Sequence, residues 1–176
     1  MTNTPHLTSS GRRVFLAWPV ALALAGCGFK LRQTPQFSFK TIRLVMPASA
    51  LMQQLNRKLT ATHQTRVVSD PAQAEVTLIS TGERRERTVL SYTATGEARE
   101  YELRLRFSFR ITGPDGRDLA PPTEILRRTD QSYSETAALS KAAEAEMLYQ
   151  SMQDDIAQQV MRRLATVKPD APVPAQ

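Results

Sequence analysis

The amino-acid sequence predicts an α+β fold, a single domain in which two helices pack on one face of a mixed, mainly antiparallel β-sheet. Three observations carry this expectation. Two short apolar runs, Phe39–Met46 and Thr65–Ser69, flank a stretch in which Leu51, Met52, Leu55 and Leu59 recur at helical spacing. Further on, Tyr101, Leu103, Leu105, Phe107, Phe109 and Ile111 alternate strictly with Glu100, Glu102, Arg104, Arg106, Ser108 and Arg110, the period of a strand with one face on a core. Toward the C-terminus, Leu148, Met152, Ile156, Val160 and Leu164 form one apolar stripe along a long segment.

Each element has a local cause. The first strand, Phe39–Met46, is stopped by Pro47, which lacks a backbone donor. Ser49 offers an oxygen to cap the helix that follows, and Arg57 and Lys58 lie near its C-terminal end, where the helix dipole favours cations. Asp70-Pro71 closes the second strand. Strand, helix, strand in this order implies a crossover with parallel strands. Val76, Leu78 and Ser80 share one face of a third strand, which continues from Glu83 to Tyr92 past a bulge where Val89 and Leu90 break the phase. Thr95-Gly96 and Gly113-Pro114-Asp115-Gly116 supply turns on either side of the fourth strand, so the third, the fourth and a fifth around Glu124–Tyr133 form an antiparallel meander. Tyr133 is expected in the core. The last helix runs from Ser140, its expected N-cap, to Leu164, with Glu144 and Glu146 in its early turns and Arg162-Arg163 at its end.

Ahead of this domain the chain reads as a leader. Arg12 and Arg13 precede the apolar run Val14–Leu24, about 11 residues long, which suits a signal-peptide core but falls short of the ~20 needed to span a bilayer. Leu24-Ala25-Gly26-Cys27 then matches a bacterial lipobox, in which small residues admit the peptidase and the thiol accepts a diacylglycerol. Residues 1–26 are therefore expected to be removed, and residues 27–36 to form a lipidated anchor and spacer. Two or three acyl chains hold a protein durably at a membrane, each buried methylene adding about 0.8 kcal/mol. Gly28 after the cysteine, in place of aspartate, favours outer-membrane sorting. The export route stays open, because Arg12-Arg13-Val14-Phe15-Leu16 also resembles a twin-arginine signal. The folded part is expected over 37–166, and the proline-rich tail 167–176 is expected to be disordered for lack of apolar periodicity.

Composition narrows the function. The formal charge is +6, and loss of Arg12 and Arg13 with the leader brings it to +4, which suits anionic partners without predicting nucleic acid as one. Cys27 is the only cysteine, so no disulfide forms within the chain. Beyond the leader His63 is the only histidine, in a short helix-to-strand loop, and no G-x-S-x-G, H-E-x-x-H or glycine-rich phosphate loop occurs. Glu83 and Glu86 lie among arginines that keep both ionised, which argues against glycosidase chemistry. No catalytic residue, metal site or cofactor is predicted. The arginines Arg104, Arg106 and Arg110 are expected to pair with acidic neighbours on the outward face of the sheet.

A family resemblance rests on particular residues. Leu24-Ala25-Gly26-Cys27-Gly28-Phe29-Lys30-Leu31-Arg32, then Ala98-Arg99-Glu100-Tyr101-Glu102-Leu103, then Ala138-Leu139-Ser140-Lys141 leading into the last helix, resemble the LPS-assembly lipoprotein family, LptE, in order and spacing. The resemblance implies a non-enzymatic lipoprotein of the cell outer membrane, on its periplasmic side and in the lumen of the barrel LptD, acting as plug, barrel-assembly partner and lipopolysaccharide-binding subunit. Lys141 stands where the family carries a basic residue implicated in lipopolysaccharide contact. At a second basic position, near the tip of the third-to-fourth strand hairpin, this chain has Leu90, Ser91 and Tyr92, and Arg87 and Arg99 are the nearby substitutes. The rival reading is an auxiliary lipoprotein of another envelope lipid-transport system of the ABC type.

Overall fold

Pairing along the backbone sets the topology: a computed structural model describes residues 35–169 and arranges five strands in the order β2-β1-β3-β4-β5. The strands are β1 (Thr41–Val45), β2 (Arg66–Val67), β3 (Val76–Tyr92), β4 (Ala98–Thr112) and β5 (Asp118–Ser132), and the helices are α1 (Ala50–Ala61) and α2 (Ala138–Ala165). β1 runs parallel to both β2 and β3, as the crossover requires, and the remaining pairs are antiparallel. The expected α+β class, with two helices and a mixed sheet, is the class observed. The leader, Cys27, Phe29 and residues 170–176 lie outside the described residues.

Both helices cover one face, because only that face offers continuous apolar surface. Ile42 of β1, Val76 and Leu78 of β3, and Leu103, Leu105, Phe107, Phe109 and Ile111 of β4 are buried there against Leu51, Leu55 and Leu59 of α1. From α2 the buried set is Tyr149, Met152, Gln153, Ile156, Ala157, Val160, Met161 and Leu164, which widens the expected stripe by its i+1 neighbours. Leu148 packs at the edge of the core. At 28 residues α2 is about 42 Å long; its first turns leave Leu139 and Met147 exposed, while Ala145 packs against the core. Val167, placed at the head of the tail by its sequence, is 2% exposed and belongs to the core.

Opposite the helices, β4 presents its charged residues as expected. Arg106 reaches Glu124 at 2.5 Å and Arg110 forms a two-pronged pair with Asp118 at 3.0 Å, both across to β5, while Arg104 pairs with Glu102 along its own strand.

Three elements differ from their sequence reading. β5 begins at Asp118 and carries Pro121 and Pro122 inside it. It tolerates them because it is an edge strand and because the β4–β5 register slips between the Phe109 and Ile111 pairs, where a missing donor costs little. Each flanking turn closes with a glycine at positive φ, Gly96 at 87° and Gly116 at 77°, a conformation that side chains disfavour. β3 has the expected bulge at Leu90 but also a second one at Thr81. Ser140 is not a cap: a 3₁₀ turn, Glu135–Ala137, leads straight into α2, and the Ser140 hydroxyl turns back to donate to the Ala137 carbonyl at 2.8 Å.

Ser49, in contrast, does cap α1, its hydroxyl oxygen accepting from the Met52 N–H at 3.2 Å. Ser49→Ala is therefore expected to cost about 1 kcal/mol of stability in chemical denaturation. Ser140→Ala should change it by less than about 0.5 kcal/mol; equal losses would contradict this distinction.

Candidate functional site

The Thr81 bulge decides which charges meet the helices. Ser80 pairs with Phe109, but the next partner of β4, Ser108, meets Gly82, and Glu83 then meets Phe107. The extra residue shifts the alternation, so that Glu83, Arg85, Arg87 and Val89 share the face of Phe107, Leu105, Leu103 and Tyr101. Arg85 and Arg87 thus stand on the helix side of β3, unlike Arg104, Arg106 and Arg110 of β4. A glycine inside a strand, Gly82, is the signal that marks this bulge in the sequence.

Arg85 helps to dock the first half of α2. Its guanidinium donates to both carboxylate oxygens of Glu146, at 2.9 and 3.2 Å, and lies 4.8 Å from the ring centre of Tyr149. The Tyr149 hydroxyl donates to the Glu86 carbonyl at 2.7 Å. Burial pushes that hydroxyl above its ordinary pKa, an effect that Arg85 and Arg87 partly offset.

Arg87 sits differently, over aromatic rings instead of a carboxylate. Its guanidinium is 3.6 Å from the ring centre of Tyr101 and 5.2 Å from that of Tyr133. The two rings meet edge to face, 5.1 Å apart at 90°, the arrangement their quadrupoles favour. Tyr133, expected in the core, is half-buried at its margin as the outer half of this platform. Among the described residues Arg87 makes no ion pair. A guanidinium held by its face on two rings keeps its edge donors available for an anion.

Lys141 is brought to the same end. Its ammonium donates to Glu144 at 2.8 Å and to the Ser132 hydroxyl at 3.1 Å, and its side chain is 21% exposed. The Lys141 carbonyl accepts from the Gln131 side chain at 2.7 Å, and Gln131 lies directly across from Tyr101 in the sheet. Tyr101 and Gln131 therefore link the Arg87 platform to the first turn of α2. Arg99 joins the group less firmly: its carbonyl accepts from the Tyr133 N–H at 2.8 Å, while its exposed side chain makes no ion pair among the described residues.

The sequence reading missed Tyr101, Gln131 and Tyr133 as parts of this constellation. Tyr101 does carry a signal, a tyrosine ending a face otherwise made of Leu, Phe and Ile, where a hydroxyl places it at the border with water. Gln131 carries none, since its burial follows only from the packing of α2. Among the described residues no cluster of His, Cys, Asp and Glu is arranged to hold a metal ion, and no helix is long and apolar enough to cross a membrane. The arrangement offers a fork and a point charge for phosphate or carboxylate groups.

Comparison with known proteins places the chain in a family. The model of the LptE family, described as lipopolysaccharide-assembly, matches residues 39–164. The LPS-assembly lipoprotein LptE of Yersinia enterocolitica is 32% identical over 151 residues, covering 83% of this chain and 72% of that protein. Its counterpart in Yersinia pestis is 33% identical over the same shares. Among solved structures, lipoprotein B of Nitrosomonas europaea superposes with a TM-score of 0.67 at 33% identity, covering 78% of this chain and 90% of that one. The rare lipoprotein B of Shewanella oneidensis gives 0.63 at 25% identity, covering 72% and 95%. With the helix-covered mixed sheet and the matched span agreeing, the chain belongs to the LptE family of lipopolysaccharide-assembly lipoproteins.

Proposed function

We propose that this chain is an outer-membrane lipoprotein, tethered through acyl chains on Cys27, that occupies the lumen of the barrel LptD as a plug, supports assembly of that barrel and binds lipopolysaccharide. The reading is non-enzymatic. The single observation that carries the ligand part is Arg87, which among the described residues pairs with no carboxylate and is held on Tyr101 and Tyr133 at the end of the sheet where Lys141 lies in the first turn of α2. Lipid A and inner-core sugars carry phosphates, which arginine forks and lysine point charges both recognise. Arg99, exposed on the same end, extends the basic surface.

Family membership supports the barrel as partner, and affinity capture tests it. Full-length chain extracted in mild detergent should bring down a large outer-membrane β-barrel. Recovery of an inner-membrane ATPase complex in its place would overturn the reading and favour the auxiliary lipid-transport lipoprotein. Lys141 is tested separately. Lys141→Asp should weaken lipopolysaccharide binding by about tenfold, the worth of one charge-assisted contact, and binding by the unmodified chain should fall as salt rises. Unchanged affinity in the variant would remove Lys141 from the site.

A further inference from the structure

The opposite end of the sheet holds a second basic site. An open groove of about 590 Å³ lies where β1 and β2 begin and α1 ends, and its walls include Lys40, His63, Gln64, Arg66 and Val67. Ile42 pairs with Val76 at the start of β3, so Arg87 stands roughly 35 Å away along that strand. The two sites are therefore separate.

Four features of the groove point to an anion. Lys40, His63 and Arg66 are exposed, and none of them makes an ion pair among the described residues. The Gln64 side-chain oxygen accepts from the Phe37 N–H at 3.4 Å, which leaves its NH₂ to donate. The N–H groups of Arg66 and Val68 donate to the Lys40 and Ile42 carbonyls of β1 at 2.9 Å. In a parallel ladder the intervening Val67 N–H then faces the open edge, since β2 ends the sheet. Finally, His63 has φ 54°, a left-handed conformation that glycine adopts freely at the end of a helix and histidine adopts only at a cost. Strain of this kind clusters at functional sites.

Two features oppose an anion, the dipole at the C-terminal end of α1, about half a charge, and the Glu75 carboxylate, which accepts from the Lys40 N–H at 2.9 Å; the ammonium of Lys40 and the guanidinium of Arg66 set two full positive charges against them. Thr62 and His63 moreover satisfy the carbonyls of Leu59 and Thr60 with their N–H groups, each at 3.2 Å.

We propose that this groove binds a phosphate group, with Lys40 and Arg66 as the cations and the His63 ring, the Gln64 amide and the Val67 N–H as further donors. Two sources offer that chemistry, free phosphate and the headgroup of a phospholipid. Lys40 follows Cys27 by thirteen residues, a span that reaches at most about 45 Å, so a chain lipidated at Cys27 holds the groove within reach of headgroups. The headgroup source rests on the lipid attachment proposed above, whereas the phosphate site does not.

The test uses the full chain in maltoside micelles, which contain no phosphate, with calorimetry and hydrogen exchange over residues 60–67 as readouts. Inorganic phosphate is titrated in one arm and phosphatidylglycerol is doped into the micelles in the other. Saturable protection in the first arm identifies free phosphate as sufficient, and protection confined to the second identifies the headgroup. Lys40→Glu combined with Arg66→Glu should weaken binding at least tenfold, and Lys40→Arg with Arg66→Lys should restore most of it. His63→Gly should raise Tm by about 3 °C while weakening binding several-fold, a split that a purely structural histidine would not produce. Exchange protection over residues 60–67, which a phosphate held at the Arg87 end would not alter, separates the two ends of the sheet, and the control Arg128→Glu, at an exposed position of β5, should leave it unchanged. Absence of protection in both arms, or full binding by the charge-reversed variant, would overturn the proposal whatever the outcome of the barrel capture.

Discussion

Lipopolysaccharide binding by Arg87→Glu should be weaker by about 10- to 100-fold than in the unmodified chain, the range set by losing a charge-assisted contact worth about 1.5–3 kcal/mol. The geometry explains why this residue should matter more than its neighbours. Arg85, two positions earlier on the same face, is already paired with Glu146 at 2.9 Å, and Lys141 must share its ammonium with Glu144 and Ser132. Arg87 rests on Tyr101 and Tyr133, and no carboxylate among the described residues pairs with it. Arg87→Lys keeps the charge but loses the fork and the flat contact with the rings, so an intermediate loss is expected. Tyr101→Leu removes the platform and should reduce affinity only a few-fold, in line with the ~0.5–1 kcal/mol of an exposed cation–π contact. Calorimetric titration with lipopolysaccharide, alongside circular dichroism to verify folding, measures all three. A folded Arg87→Glu variant with undiminished affinity would shift the ligand role to Arg99 and Lys141.

The largest loss of stability is expected at the centre of the sheet. Phe107 is fully buried, stacks on Phe109 at 5.4 Å, and lies between Glu83 of β3 and Ile125 of β5. Truncation to alanine removes most of a ring from a layer closed by α2, which the surrounding backbone cannot follow inward because both neighbouring strands hold β4 in place. Phe107→Ala should therefore cost about 3–5 kcal/mol, a large share of the ~5–15 kcal/mol that stabilises an ordinary domain. In urea denaturation the midpoint should fall with little change in slope. Leu139→Ala is the contrasting case: at 88% exposure in the first turn of α2, it should move stability by less than about 0.5 kcal/mol. A loss below 1 kcal/mol at Phe107 would mean that this face of β4 is not the core.

Much of the fold was legible from local pattern. The alternation from Tyr101 to Ile111 identified the buried face of β4 before any pairing was known, because a strand turns successive side chains to opposite sides whatever its neighbours do. Ser49 announced the start of α1, since the cap bond spans only three residues and needs no tertiary partner. The same local logic failed at Ser140, where a 3₁₀ turn extends the helix upstream and leaves the serine inside its first turn.

The candidate site was legible only in part. Lys141 was named from a family pattern, and Arg87 and Arg99 as nearby substitutes where the chain departs from it; the structure brings the three to one end of the sheet. Their chemical settings were not readable. Tyr133 meets Tyr101 only because β5 returns alongside β4, and Glu146 reaches Arg85 only because α2 crosses back over the hairpin.

By itself, then, the sequence determined the kinds of element, the buried face of the central strand and the residues that signal the family. Tertiary structure alone decided which arginines of β3 stand beneath α2, that Arg87 lies on two tyrosines, and that Lys40, His63 and Arg66 line one groove. The physical reason is parity. A pattern of period two is reset by a single bulged residue, here Thr81, and what determines such a bulge is the register of pairing with a distant strand, which no local window of the chain contains.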